Sequence, residues 1–584
     1  MLFWWNRGIQ LNSNGLPNLA ASAILSGRLP YRDFHYWCPP GHLLIWAAIT
    51  ACFGDGLIYV RAFAVLERMA IFVIVYFWLT QIFSPRAAFF GTFTAAMGFS
   101  SDIGDVIAHY GFDSVLASVL AGFSASIATA SQCRYARIFY FLTGVFAGLC
   151  MLAKQTQGVG MFGLLLVIFL LATRSRGLGF SLRVVSEYLA GWAVPTGLVA
   201  FWLFRGGAWK AFIQQAFVQG SASKGSLREI LLRPLLTLAF DWLLLLAFIG
   251  AALLLCLYAL LSLRQNRSNT VPGNGVSGKP WSLWFACLLA LALAFGTAWY
   301  SPKLDTFGPV ELFLILISAT CIFIGFYGSA AIAIRYTFLA IRQPLDRASL
   351  CKWILASVSA LTAYMFSLSW AAFEQMLVPS FAFVIALALD RQLKIGNRAV
   401  SFAIVALGLV LASTAAFRKL EWPYTWENWV DGPIKEETVK SDFPELAGLR
   451  VTPESAAFIA RVTKVIDAHS LPDQTILCFP NYALFYVLSH RTPATFAFMH
   501  WFDIVPDALA REEAKRIQAH PPAVILFVDI PEEIIQVKEI SYRGGRRSGQ
   551  RDMIAAIQSL PGYRIIETVP IPHIGYPLKI YARE

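Results

Sequence analysis

IFYFLTGVFAGLCMLAKQTQGVGMFGLLLVIFLLATRSR, residues 138–176, decides the architecture of the chain. Two apolar runs, 138–153 and 159–173, are divided by AKQTQG and closed by a basic stretch holding Arg174 and Arg176. Neither run alternates with a period of two, so neither reads as a lipid-facing strand. Each reads as a membrane helix somewhat under the roughly 20 residues of a full span, a shortfall that tilt or burial against neighbours accommodates. Lys154 at the break and the arginines at the far end then lie on opposite sides of a membrane.

The same pattern fills much of the chain. Further apolar segments at about 57–83, 87–100, 113–131, 184–204, 235–263, 283–300, 311–334, 353–372, 376–389 and 400–417 raise the count to twelve, and 43–53 reads as a short interfacial helix. Of the 584 residues 57% are hydrophobic and 14% charged, against about a quarter charged in a soluble domain. Only helices or closed barrels satisfy the backbone in lipid, and the long runs select helices. The net charge of +12 does not point to nucleic acid, because the basic residues sit in short loops between apolar segments. The nine cysteines are scattered without a CxxC pair and read as small buried apolar residues; Cys38 and Cys478 fall on one side, where a disulfide between them is conceivable.

Charge sets the orientation. One set of loops holds sixteen basic residues, among them Arg174, Arg176, Arg342 and Arg347, and the alternate set holds seven. The first set is therefore cytoplasmic. Residues 1–56, the loops near 101–112, 205–234, 301–310 and 373–375, and everything after 418 are expected outside. Both ends then lie outside, and MLFWWNRG lacks the basic-then-apolar order of a cleavable signal, so a further helix upstream of Met1 is expected. Four regions result: an external first loop (1–56), a helix bundle (57–417), an aromatic interfacial linker (418–439) and a tail (440–584). In the tail, TILCFP, AVILFVDI and LKIYARE alternate with ESAAFIARVTKVIDAH and DALAREEAKRIQAH, the pattern of a small α/β domain.

Several polar groups stand out. SGRLPYRDFHYWCPPG, 26–41, packs arginines, Asp33, His35, aromatics and prolines into one stiff stretch. Arg32 and Asp33, being adjacent, are expected to point apart and find separate partners. In SDIGDVIAHYGFDS, 101–114, a helix would place Asp105, His109 and Asp113 on one face. Such a set suits proton acceptance, a divalent ion, or plain capping. Lys154 either reaches the headgroups from a helix end or binds a phosphate at that depth. Arg61, Glu67 and Arg68 sit inside an apolar run, where charge is costly and points to function; Arg61 and Arg68 share a face, while Glu67 needs a partner on another helix. The basic loop 204–234 reads either as a lid lying on the membrane or as a plain surface helix.

NGLPNLAASAILSGRLPYRDFHYWCPPGHLL, 14–44, resembles the first external loop of polyprenyl-phosphate-sugar glycosyltransferases of the GT-C fold, relatives of the protein O-mannosyltransferases and of the lipid A aminoarabinose transferase. GVFAGLCMLAKQTQG, 144–158, resembles their small-residue helix with its lysine break, and TILCFPNYALFYVLSHRTPAT, 475–495, resembles their soluble domain. The resemblance implies an all-α polytopic bundle of about 12–13 helices with an extracytoplasmic α/β domain, in a bacterial inner membrane. It implies sugar transfer, with inversion, from a polyprenyl-phosphate donor to an acceptor that is a lipid, a glycan or a protein, without a cofactor, a divalent cation being the alternative. Asp113 matches the aspartate such proteins carry at the start of the corresponding helix; Asp105 and Asp33 are the other candidate catalytic carboxylates. Lys154, Arg32 and Arg61 are the candidate donor-phosphate cations. Tyr31, His35, His42, His109, Gln155 and Glu374 are the candidate cavity residues. One departure stands: where the family has an acidic pair before a glycine, this chain has Ser13 and Asn14 before Gly15. A non-catalytic relative, an O-antigen polymerase or ligase, and a lipid-linked-saccharide transporter are the rival readings.

Overall fold

The computed structural model describes residues 5–11, 14–98, 109–130, 135–219, 309–368, 378–396, 434–572 and 576–583, with a few isolated positions and runs of two or three residues between them. Two short helices open the chain, α1 (Leu16–Leu25) and α2 (Gly41–Phe53). The bundle follows as α3 (Leu57–Thr80), α4 (Pro85–Gly98), α5 (Tyr110–Ala130), α6 (Ala136–Ala153), α7 (Gln155–Thr173), α8 (Leu178–Arg205), α9 (Pro309–Arg342), α10 (Arg347–Ser367) and α11 (Val378–Ile395). Among the described residues seven helices are long and apolar enough to cross a membrane. The expected segments 235–263 and 283–300 and most of 400–417 lie outside the described residues. Trp78, Tyr188, Trp353 and Phe381 are buried together in the core of the bundle.

Glycine sets a close helix contact. A side chain on Gly144 would fall 2.0 Å from the Tyr188 carbonyl oxygen, and one on Gly191 would fall 2.0 Å from that of Phe141. Small residues thus let the backbones of α6 and α8 touch, the usual device where lipid offers no hydrophobic drive. At one end of the bundle the Asp390 carboxylate accepts from the Ser84 amide at 2.9 Å and pairs with Lys394 at 2.7 Å. Arg137 and Glu187 pair at 2.5 Å.

The tail folds as an α/β unit. Strands β1 (Val439–Lys440) and β2 (Arg450–Val451) form a small antiparallel pair. A five-stranded sheet then combines β3 (Thr475–Phe479), β4 (Thr492–Pro493), β5 (Val524–Val528), β6 (Tyr563–Pro570) and β7 (Pro577–Arg583) in the order β4-β3-β5-β7-β6. β3 runs parallel to β4 and β5, while β7 runs antiparallel to β5 and β6. Helices α12 (Pro453–His469), α13 (Ala483–Leu488), α14 (Asp507–Ala519), α15 (Glu532–Arg543) and α16 (Gln550–Gln558) pack around it. β5 is buried along its whole length, which explains its unbroken apolar run.

The first loop and the tail share one core. Phe34, Leu43, Leu446, Phe485 and Phe498 belong to a single buried cluster. Phe34 stacks on Phe498 at 4.9 Å, and the His35 amide donates to the Phe496 carbonyl at 2.9 Å. The opening segment reaches the same unit: Arg7 donates to the carbonyls of Ile434 and Glu437 at 3.1 and 3.2 Å. Cys38 and Cys478 are both buried free thiols, which corrects the expected disulfide.

Candidate functional site

The site grows from the break at Lys154. This residue alone separates α6 from α7, in extended conformation (φ −148°, ψ 112°). The helices reverse there, as the edge contact of Tyr140 with Phe169 at 5.1 Å across the hairpin shows. Gly158 permits so tight a reversal, since a side chain on it would lie 2.1 Å from the Met151 Cα. Lys154 is 3% exposed, with Nζ 6.0 Å from the Tyr110 ring centroid. Gln155 donates from Nε2 to the Ala216 carbonyl at 2.8 Å.

Pro39, Pro40 and Gly41 bring α2 to the same place. Pro40 caps the helix, and a side chain on Gly41 would sit 2.7 Å from the Leu152 carbonyl oxygen. This close approach sets His42 beside the start of α5. His42 Nδ1 hydrogen-bonds the Asp113 carboxylate, and the two residues are 1% and 8% exposed. The Trp46 ring lies 4.0 Å from the imidazole. Behind them Glu67 interacts with Asp113, giving it the partner on another helix that its position demands. Arg68 stacks over Phe112 at 4.1 Å.

His109 joins this group in a way that helical spacing does not anticipate. It precedes α5 rather than lying on its face, and its Nδ1 accepts from the Gly111 amide at 3.1 Å. The single helical face through 105, 109 and 113 is thus corrected: the helix begins at Tyr110, and Gly111 is where its start is capped. Burial, with His42 and Lys154 close by, holds the His109 imidazole down to about 3, so it stands neutral. Asp113, His42, His109 and Lys154 therefore converge, with Glu67 and Arg68 as a second row.

The first loop walls this cluster. Tyr31 is buried with φ 71°, and its amide donates to the Phe34 carbonyl at 2.7 Å, closing a turn. Arg32 and Asp33 lie within this turn and pair with each other at 2.7 Å, correcting the expectation that they point apart. Arg32 also donates to the Gly206 carbonyl at 2.8 Å, and Asp33 accepts from the Leu29 amide at 2.7 Å. The Arg32 guanidinium holds the Asp33 carboxyl below its ordinary range. His35 is buried between Gln215 Oε1, 2.9 Å from Nδ1, and the Ile504 carbonyl, 3.3 Å from Nε2; burial holds it down to about 4. Gln215 also accepts from the Tyr36 amide at 3.2 Å and donates to the Tyr31 carbonyl at 2.7 Å. It stands on a π-helical turn, Ile213–Gln219, that continues the short helix Trp209–Phe212. Through Gly206 and Gln215, the stretch 206–219 of the basic loop is thus docked on the first loop.

Arg61 is engaged with the opening segment of the chain. It is buried and donates to the carbonyls of Arg7 and Gly8 and to Asn14 Oδ1 at 3.0, 2.7 and 3.0 Å. Asn14, at the place of the family's acidic pair, is held there by the Gln10 amide at 2.7 Å. Asp105, Glu374 and Ser13 lie outside the described residues. Among the described residues no three His, Cys, Asp or Glu side chains are disposed to hold a metal ion.

Beside the hairpin lies an apolar cavity of about 320 Å³, bounded by Pro39, Leu152, Trp192, Val199, Phe212 and Phe217. Neighbouring residues of α8, Leu198 and Phe201 among them, are exposed and apolar. Two contributors escape sequence reading. Asp503, in the tail, lies within electrostatic reach of Tyr110. Gln215 is one glutamine among several in an amphipathic stretch, with no local signal of its role.

Comparison with known proteins adds the following. No curated protein matches the chain in sequence. The structure of ArnT from Cupriavidus metallidurans bound to undecaprenyl phosphate is 11% identical and aligns over 99% of this chain and 96% of that one, with a TM-score of 0.45. The oligosaccharyltransferase AglB from Archaeoglobus fulgidus, in complex with an inhibitory peptide and a dolichol-phosphate, is 12% identical and aligns over 100% and 71%, with a TM-score of 0.48. A family model described as dolichyl-phosphate-mannose-protein mannosyltransferase matches residues 38–203. That stretch contains His42, Asp113 and Lys154, and over it the chain is similar to this family, in keeping with its resemblance to the GT-C polyprenyl-phosphate-sugar glycosyltransferases.

Proposed function

We propose that the protein transfers a sugar from a polyprenyl-phosphate donor to an acceptor at the extracytoplasmic surface of the membrane, with inversion at the anomeric carbon. The observation that carries this reading is the buried His42–Asp113 pair converging with Lys154 at one end of the helix bundle, beside an apolar cavity. The prenyl chain enters sideways along α8, and the phosphate comes to rest near Lys154. The acceptor's nucleophilic atom attacks the anomeric carbon while the bond from that carbon to the phosphate oxygen breaks. Its proton passes to Asp113, oriented by His42, and the polyprenyl phosphate leaves with the bonding electron pair. A positioned base contributes about 10²–10⁴-fold, and cations aimed at the leaving phosphate add electrostatic stabilisation. Asn14 cannot act as a base, which is why the burden falls on Asp113.

The test is transfer of radiolabelled sugar from a synthetic polyprenyl-phosphate-sugar by the purified protein, with Lys154→Ala beside it. Transfer that collapses in the variant supports the reading. A protein that moves lipid-linked saccharide across vesicles without transferring it is a transporter, and the reading fails.

A further inference from the structure

At the opposite end of the bundle a second cavity, of about 240 Å³, is formed where α5, α6, α7, α9 and α10 end. We propose that it is a binding site for a phosphate group. Arg176, just past α7, and Arg347, the first residue of α10, line it together with Thr173, Ser175 and Gln343. Tyr140 and Trp353 form its buried floor. Among the described residues neither arginine pairs with a carboxylate. The carboxylates nearest in sequence are engaged: Asp346 accepts from the Ser349 amide at 2.7 Å, and Glu187 is held by Arg137. The Arg176 guanidinium rests over the Phe180 ring at 5.2 Å, a stacking that still lets its planar N–H groups donate at the edge.

Two arginines lining a polar hollow together with hydroxyl and amide side chains match a tetrahedral oxyanion. The hollow is smaller than the roughly 300–1,000 Å³ of pockets that take whole small molecules, so it suits a headgroup phosphate better than a nucleotide. It lies at the end that the arginine-rich loops mark as cytoplasmic, at the depth of inner-leaflet headgroups. The same chemistry is supplied by a phosphodiester of an anionic phospholipid or by free phosphate. Either ligand ties the end of α7 to the start of α10. The site is independent of the transfer reaction proposed above.

The test is thermal unfolding of the full-length protein in detergent with added phosphatidylglycerol, phosphatidylcholine or inorganic phosphate at constant ionic strength. A ligand at 100 times its Kd raises stability by about 2.7 kcal/mol, read as a rise of several degrees in Tm. Protection by phosphatidylglycerol but not phosphatidylcholine, lost in Arg176→Gln/Arg347→Gln, identifies a lipid ligand; protection by inorganic phosphate, lost in the same variant, identifies a soluble one. Should the double variant not stay monodisperse, the single Arg347→Gln is read in its place. No protection by either ligand, or protection that survives these substitutions but falls in Arg174→Gln, overturns the proposal.

Discussion

Asp113→Asn is the substitution on which the catalytic reading stands. The amide keeps the shape of the carboxylate and removes its charge, at a residue 8% exposed and bonded to an imidazole that is 1% exposed. Two losses follow. The charge-assisted bond to His42, worth about 1.5–3 kcal/mol, becomes a neutral one of about 1 kcal/mol, so stability falls by roughly 0.5–2 kcal/mol. The acceptor's proton loses its base, which costs about 10²–10⁴-fold in rate, or about 2.7–5.4 kcal/mol of barrier. In the proposed reaction Asp113 acts on the acceptor and Lys154 holds the donor phosphate, so kcat falls and the donor KM stays within a few-fold. The assay is steady-state transfer at saturating acceptor, with Asp113→Glu and thermal unfolding alongside. A variant that folds and keeps more than about a tenth of the wild-type kcat, or whose whole defect lies in KM, refutes the role of Asp113.

Three further expectations concern the scaffold. Burial raises the Glu513 carboxyl to about 7, although the Phe496 and Ala497 amides donate to it at 3.0 and 3.3 Å. Between about 4.5 and 7 the unfolded chain releases this proton and the fold retains it, so its ionisation costs stability as pH rises, by up to about 3 kcal/mol. Glu513→Gln removes that cost, and its unfolding free energy exceeds that of the wild type at pH 8 but not at pH 4; equal differences at both pH values contradict the assignment. Gln215→Ala strands the Tyr36 amide, the Tyr31 carbonyl and one nitrogen of His35, a loss of about 2–4 kcal/mol, seen as faster tryptic cleavage at Arg28 and Arg32. Gly158→Leu, with its Cβ 2.1 Å from the Met151 Cα, abolishes monodisperse protein in size-exclusion chromatography, whereas Gly163→Ala, which meets nothing within 4 Å, leaves it intact.

What the sequence discloses follows from what is local. Apolar runs and a one-residue charged break suffice to find α6, α7 and their reversal, because span length and helix termination are decided within a few residues. The α/β tail is legible for the same reason, from short buried runs between amphipathic ones, but its strand order is not, since the antiparallel insertion of β7 beside β5 depends on packing. The site divides likewise. Asp113 and Lys154 stand out as charges at helix ends. The bond from His42 to Asp113 does not, because it joins residues 71 positions apart. The mutual pairing of Arg32 and Asp33 does not stand out either, because adjacency alone does not tell a turn from an extended stretch.

The union of the first loop with the tail also sets a timetable. Phe34 finds Phe498, and Arg7 finds Ile434, only after the intervening bundle has been made. At about 5–20 residues per second the ribosome needs roughly 20–80 s to travel from the first loop to Ile434. Throughout that interval the newborn loop lacks the surface that completes its hydrophobic core. Nascent chains arrested before the tail emerges should therefore carry all the early helices and still display an unfinished, protease-accessible entrance.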